Sequence, residues 1–234
     1  MSSIYQTWAE TQALLEKHQV LPIAVESIHP EEYILHPGSA SISSLRLDDH
    51  EHRNANPWIK AGGRPQYEGL DGAVTGYVID GDLTIDGTLI NGDIGAPALI
   101  VLGNLRAKAI MITGDAKLVV KGNIETDFFM GGFTDSYFVV EGELHARAII
   151  FWDEFAPSHL GTLRGHALVP HYYDAASDEN IAQVVPTTPA PDLATLFVPE
   201  VQVPIESEKR TFASFGVDGA KLYERIVAGH PVLR

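Results

Sequence analysis

The chain has 234 residues, 45% of them hydrophobic and 20% charged, which is ordinary for a folded protein and excludes disorder throughout. Its formal charge is −15, from 31 acidic and 16 basic residues. That balance disfavours nucleic acid and anionic membrane as partners, because both are bound through positive charge, and it suits a basic protein partner. The chain has no cysteine, so disulfides, thiolate chemistry and Cys-ligated zinc are excluded.

Residues 3–19 read as a helix, with Ile4, Trp8 and Leu15 near one face, Ser3 able to cap, and Glu10 three residues after Thr7. A basic-then-apolar leader is not seen here, and apolar runs such as Ala148–Trp152 fall far short of the roughly 20 residues of a bilayer span, so a cytoplasmic location is expected. Residues 20–70 mix Pro22, Pro30 and Pro37 with a small-residue run and the polar stretch 48–53. Short strands and loops are expected there, covering the first turn of the central region.

The middle of the chain is a repeat. Tyr77–Ile85, Leu99–Ala107, Leu118–Thr126 and Phe138–Ala146 align on Gly81, Gly103, Gly122 and Gly142, at spacings of 22, 19 and 20 residues. A weaker fifth copy aligns on Gly165. Within each copy the apolar positions fall every second residue. They form four columns, headed by Tyr77, Ile79, Leu83 and Ile85. The alternate positions after the glycine are polar: Asp82, Asn104, Asn123 and Glu143, then Thr84, Arg106, Glu125 and His145. Period two is a strand period, not a helical one. Strand-rich repeats of about 20 residues, stacked about 4.8 Å apart with like side chains in columns, make a β-solenoid. The predicted fold is therefore all-β: a single-stranded β-helix of about four to five rungs with helical N- and C-terminal caps. Rungs of this length suit a right-handed coil.

After the repeat, Asp174–Pro204 is rich in proline and reads as an extended surface segment. Asp218–Ala228 reads as a closing helix, with Asp218 at the N-cap, Leu222, Ile226 and Val227 on an apolar stripe, and Gly229 at the stop. The chain thus divides into an N-terminal cap (1–75), a solenoid core (76–170) and a C-terminal segment (171–234). Solenoid ends carry raw strand edges that must be covered, and both flanks hold a helix able to act as a lid.

The signatures Val78-Ile-Asp-Gly-Asp-Leu83, Val101-Leu-Gly-Asn-Leu105 and Val140-Glu-Gly-Glu-Leu144 resemble those of short bacterial bactofilin-like, polymer-forming cytoskeletal β-helix proteins. A closer likeness is to a capped subset resembling immunity proteins that accompany toxins. It is carried by Leu144–Ile150, the acidic stop Asp153-Glu154 and the ending Ile226–Leu233. The resemblance covers residues 77–155 and, loosely, the C-terminus. It implies a β-helix with a protein partner, either a cognate toxin or further copies of itself.

Several clusters invite a chemical reading. Asp80, Asp82 and Asp86 lie within one turn and could form a calcium site, although aspartate at such corners commonly bonds its own backbone. Asn104 and Asn123 stand at equivalent places on adjacent turns, as a hydrogen-bonded ladder or as donors to a carbohydrate. His50 and His52 share a face if that stretch is a strand, and with His166 or His171 they are weak candidates for a metal. Carboxylates beside Arg106 on one face keep open a carbohydrate-active enzyme. Trp152 and Phe155, and the run Phe128–Phe133, are either core or displayed contacts.

The reading adopted from the sequence is a non-enzymatic, protein-binding solenoid without a cofactor, of immunity type, occluding a basic partner through Asp82, Glu125, Glu143, His145, Asp153 and Glu154. A self-assembling scaffold and a carbohydrate-active enzyme are its alternatives.

Overall fold

A computed structural model of the protein describes residues 4–26, 28, 33–47, 76–92, 98–133, 136–170, 173–188, 192–205 and 212–234. The strands are β1 (Ile4–Gln6), β2 (Tyr33–Pro37), β3 (Ala40–Ile42), β4 (Leu45–Arg46), β5 (Gly76–Asp80), β6 (Leu83–Gly92), β7 (Ala98–Val101), β8 (Leu105–Thr113), β9 (Lys117–Val120), β10 (Ile124–Gly132), β11 (Tyr137–Trp152), β12 (His159–Leu168) and β13 (Ile181–Pro186). The helices are α1 (Trp8–Lys17), α2 (Pro22–Glu26), α3 (Leu193–Leu196) and α4 (Gly219–Val227).

Every strand pairing is parallel except that of β1 with β2. The path coils into a β-solenoid of about five turns. The apolar columns are in register as the repeat requires. Tyr77, Leu99, Leu118 and Phe138 are stacked partners, as are Ile79, Val101, Val120 and Val140. Leu83, Leu105, Ile124 and Leu144 form a third stack. All twelve are buried in one interior core.

Each turn has three sides. The first holds β5, β7, β9 and residues 137–140. The second holds residues 83–86, 105–108, 124–127 and 144–147. The third holds residues 88–92, 109–113, 128–132 and 148–152. The corner between the second and third is visible as a slip of parity. Ala107 and Ile110 both face inward, three residues apart, while Ala109 faces a different cluster.

The N-terminal helix is shorter than its pattern suggests. Residues 4–6 form β1 instead, and Thr7, not Ser3, is the N-cap of α1. Thr7 and Glu10 make a capping box in which Glu10 Oε2 accepts from the Thr7 N–H at 2.9 Å. Ser3 itself lies outside the described residues. Ile4 is exposed, so the expected apolar face begins at Trp8. Residues 33–47 do not cover the first turn; they are the first turn, with β2, β3 and β4 pairing to β5 and β6.

The fifth corner glycine is Gly161, not Gly165. Leu163 is the partner of Leu144, which places Gly161 against Glu141 and Gly142, and Gly165 opposite Ala146 in the interior column. The segment 174–204 is not simply extended. It contains the strand β13, α3 and a 3-10 turn, Pro199–Val201. At the C-terminal helix, Asp218 Oδ1 caps the N–H groups of Ala220 and Lys221 at 3.1 and 3.2 Å, and Gly229 adopts φ +70° after the stop.

Both flanking helical segments lie along the sides of the solenoid rather than over its ends. Leu15, Val20, Ala24 and Ile28 pack on Val78, Ile100, Val119 and Val139, the outward residues of the first side on four successive turns. Polar contacts take the same course. His18 pairs with Asp80 at 2.9 Å, and Leu21 N–H donates to Glu141 at 2.8 Å. On the third side, Leu196, Phe197, Leu222, Ile226 and Leu233 cover Ile90, Met111, Phe128, Met130 and Ile150. The second side is left open among the described residues.

Candidate functional site

The open second side is bounded by a polar ladder at its corner with the first. Ser39, Asp82, Asn104, Asn123 and Glu143 stand one above another. Asp82 N–H donates to Ser39 Oγ at 3.0 Å, and Asn104 N–H to Asp82 Oδ1 at 2.7 Å. Asn123 N–H donates to Asn104 Oδ1 at 2.9 Å, and Glu143 N–H to Asn123 Oδ1 at 2.8 Å. Each side chain thus satisfies a backbone donor of the next turn, a net gain of about 0.5–1.5 kcal/mol per bond. The ladder continues from Glu143 Oε1 to Arg164 Nε at 2.8 Å, and this hydrogen bond holds the guanidinium above its usual pKa. Asn104 and Asn123 are therefore structural, as the stacked-amide reading expects.

Across the ladder lies a cleft of about 480 Å³. Its floor is the outward side of β6, β8, β10 and β11, so neighbouring rows sit about 4.8 Å apart and residues two apart along a strand about 6.6 Å apart. The rows are Thr84 with Asp86, Arg106 with Lys108, Glu125 with Asp127, and His145 with Arg147. Interior columns of Leu83, Leu105, Ile124 and Leu144 hold the floor rigid from below. Thr126, the polar member of an inward column, is satisfied at the carbonyls of Lys108 and Phe128, each 3.1 Å from its hydroxyl.

Charge on this side is balanced. Arg106, Lys108 and Arg147 interleave with Asp86, Glu125 and Asp127, in a protein whose overall charge is −15. Arg106 approaches Glu125 at 3.9 Å with both side chains about two-thirds exposed, a pair worth little by itself. Arg147 Nη2 donates to the Arg234 carbonyl at 2.7 Å, tying the C-terminal segment to the rim.

The residues singled out from the sequence are distributed over three places. Glu125 and His145 are in the cleft. Asp82 and Glu143 are in the corner ladder. Asp153 and Glu154 are exposed at the opposite corner, both in left-handed conformation at φ +49° and +64°. Asp80, Asp82 and Asp86 diverge to His18, to the ladder and to the cleft, so they do not converge on one point. No grouping of three or more metal-ligating side chains occurs among the described residues. His50, His52 and His171 lie outside them.

Phe155 and Phe129 are interior, in an aromatic cluster with Phe138 and Phe151. Trp152 stacks on Phe212 of the C-terminal segment, with centroids 4.4 Å apart. Of the run 128–133, only Phe133 is displayed.

Lys108, Asp127 and Arg147 were not anticipated, and Asp86 enters the cleft rather than a calcium cluster. All four stand two residues beyond Thr84, Arg106, Glu125 and His145 (four beyond the ladder residues), so one more step of the same period finds them in frame. No helix among the described residues is long and apolar enough to cross a membrane. No family model, curated protein or solved structure matches the chain.

Proposed function

We propose that the protein is a non-enzymatic, protein-binding β-solenoid that docks through its open second side. The observation that carries this is the division of the three sides. The first and third are buried beneath the chain's own flanks, while the second, open among the described residues, presents a rigid lattice of exposed charge. A preformed surface loses little entropy on binding, and ordered charge selects a partner and speeds encounter. An open, solvent-washed sheet suits recognition better than chemistry that depends on excluding water.

The immunity-type use inferred from the resemblance is one form of this function. The lattice refines its electrostatics: the partner has to present bases opposite Asp86, Glu125 and Asp127 and acids opposite Arg106, Lys108 and Arg147, so a uniformly basic surface is a poor match. The test is co-expression of the full chain with the product of the adjacent gene. Co-purification and protection of the cells are expected, and both should be lost on the double substitution Arg106→Glu, Lys108→Glu without loss of the folded state. Capture that ignores this double reversal overturns the assignment of the face.

One observation favours a second reading, end-to-end assembly. The flanking helices lie on the sides, and β13 pairs only with β12 among the described strands. Electron microscopy of concentrated protein discriminates, because ordered filaments one solenoid wide belong to assembly alone.

A further inference from the structure

The charge order on the second side is antisymmetric about its own middle. Along the solenoid axis one column runs Lys108, Asp127, Arg147, headed by Asp86 at a bulge where Asp86 and Gly87 together oppose Lys108, and the other runs Thr84, Arg106, Glu125, His145. Consider a two-fold axis in the plane of this side, parallel to the strands and midway between the Arg106 and Glu125 rows. It lays a second copy of the side over the first with the row order reversed. Asp86 of one copy then faces Arg147 of the other, Lys108 faces Asp127, and Arg106 faces Glu125. Each pair occurs twice, as an isologous contact requires. Every acid meets a base and no like charges meet. His145 meets the neutral Thr84.

We propose that this side binds a second copy of the chain, face to face and with antiparallel solenoid axes. The proposal rests on the reading of the second side as a protein-binding surface and names its occupant. The four rows are flanked on the same side by Ser41, which pairs beside Thr84, and by Arg164, which pairs beside His145; under the two-fold these flanking rows face each other. The next basic residue, Arg164, is half-buried and neutralised by Glu143 at 2.8 Å, whereas Arg147 donates only to the uncharged Arg234 carbonyl and stays exposed with no acid within 4.0 Å among the described residues. Alternation alone would also arise from pairing between turns of one chain. Yet within the cleft only Arg106 and Glu125 come within 4.0 Å of each other among the described residues, at 3.9 Å. Lys108, Asp127 and Asp86 are exposed. The contact is polar, so it is expected to be weak and sensitive to salt.

The test is sedimentation velocity of the full chain at high micromolar concentration, in about 20 mM and about 500 mM salt, where the screening length falls from about 20 Å to about 4 Å. A dimer is expected at low salt and monomer at high salt. Lys108→Glu sets acid against acid twice, and Asp127→Lys sets base against base twice, so each variant alone is expected to be monomeric at low salt. Mixed in equal amounts they restore both pairs, and a heterodimer is expected. Circular dichroism melting of each variant confirms that it is folded.

A monomeric wild type at low salt, variants that still dimerise, or a mixture that stays monomeric each overturns the proposal. Failure of self-pairing with partner capture still abolished by Arg106→Glu, Lys108→Glu would leave the protein-binding face intact and change only its occupant. Charge-swap dimerisation without capture of the adjacent gene product would instead support the self-pairing and overturn the immunity-type use.

Discussion

Gly122 is where the stacking can be challenged most directly. Its φ lies outside the left-handed region, so conformational freedom is not what requires glycine there. Space is the requirement. A Cβ at this position would lie 2.6 Å from the Gly103 carbonyl oxygen, 2.6 Å from Asn104 Oδ1 and 2.9 Å from the Gly103 carbonyl carbon. Both oxygens are engaged. Gly103 O accepts the Gly122 N–H at 2.9 Å, and Asn104 Oδ1 accepts the Asn123 N–H at 2.9 Å. The methyl group of Gly122→Ala therefore has to force two turns apart at their corner.

Losing or stretching two hydrogen bonds costs about 0.5–1.5 kcal/mol each, and overpacking adds about 1–3 kcal/mol. A destabilisation of about 3 kcal/mol is expected, which for a chain of this size lowers Tm by about 6–12 °C. Gly132→Ala is the internal control. Its Cβ would meet only Thr113 Cγ2, at 3.3 Å, and a cost below about 1 kcal/mol is expected. Urea unfolding of both variants measures the difference. Equal stabilities, or a Gly122→Ala cost under about 0.5 kcal/mol, would show that the corner is looser than the ladder implies.

Two further outcomes concern the flanks and the last turn. Leu222 and Tyr223 are adjacent on α4, but Leu222 is fully buried against the third side while Tyr223 is 46% exposed. Leu222→Ala should cost about 2–5 kcal/mol and Tyr223→Ala under about 1 kcal/mol; equal costs in urea unfolding would mean that the helix does not seal that side. Burial holds the His166 pKa below its ordinary value. The unfolded chain therefore takes up this proton first, and stability falls as pH drops below about 6.5. Once pH is below the folded value the loss is complete. His166→Gln should flatten that part of the acid slope, read as the difference between wild-type and variant urea midpoints at pH 7.5 and pH 5.5. Parallel slopes would remove His166 from the account.

The interior was legible because its cause is local and periodic. Leu83, Leu105, Ile124 and Leu144 occupy one place in each copy of a period-two pattern, and a strand can put such residues only on one side. The N-cap role of Asp218 was legible for the same reason, since a cap is decided within one turn of helix. The corner ladder was half legible: stacked asparagines suggest it, but only the register shows Asn104 Oδ1 bonding the Asn123 N–H.

Gly165 misled because a glycine inside a column and a glycine at a corner look alike in one dimension. The outward residues Val78, Ile100, Val119 and Val139 did carry a signal. Before each corner glycine both parities are apolar, which is the mark of a strand buried on both faces, and it foretells a covering layer on that side.

The amino-acid sequence by itself determined that the middle of this chain stacks, which residues face inward, and where its last helix begins and ends, because neighbours along the chain settle each of those matters. The tertiary structure decided where the flanks go and hence what is left exposed. Net charge summed over 234 residues is acidic, yet the side that remains open is balanced and ordered. A surface is defined by what fails to be covered, and that depends on residues such as Leu15 and Val119, far apart in the chain and gathered into one buried cluster only by folding.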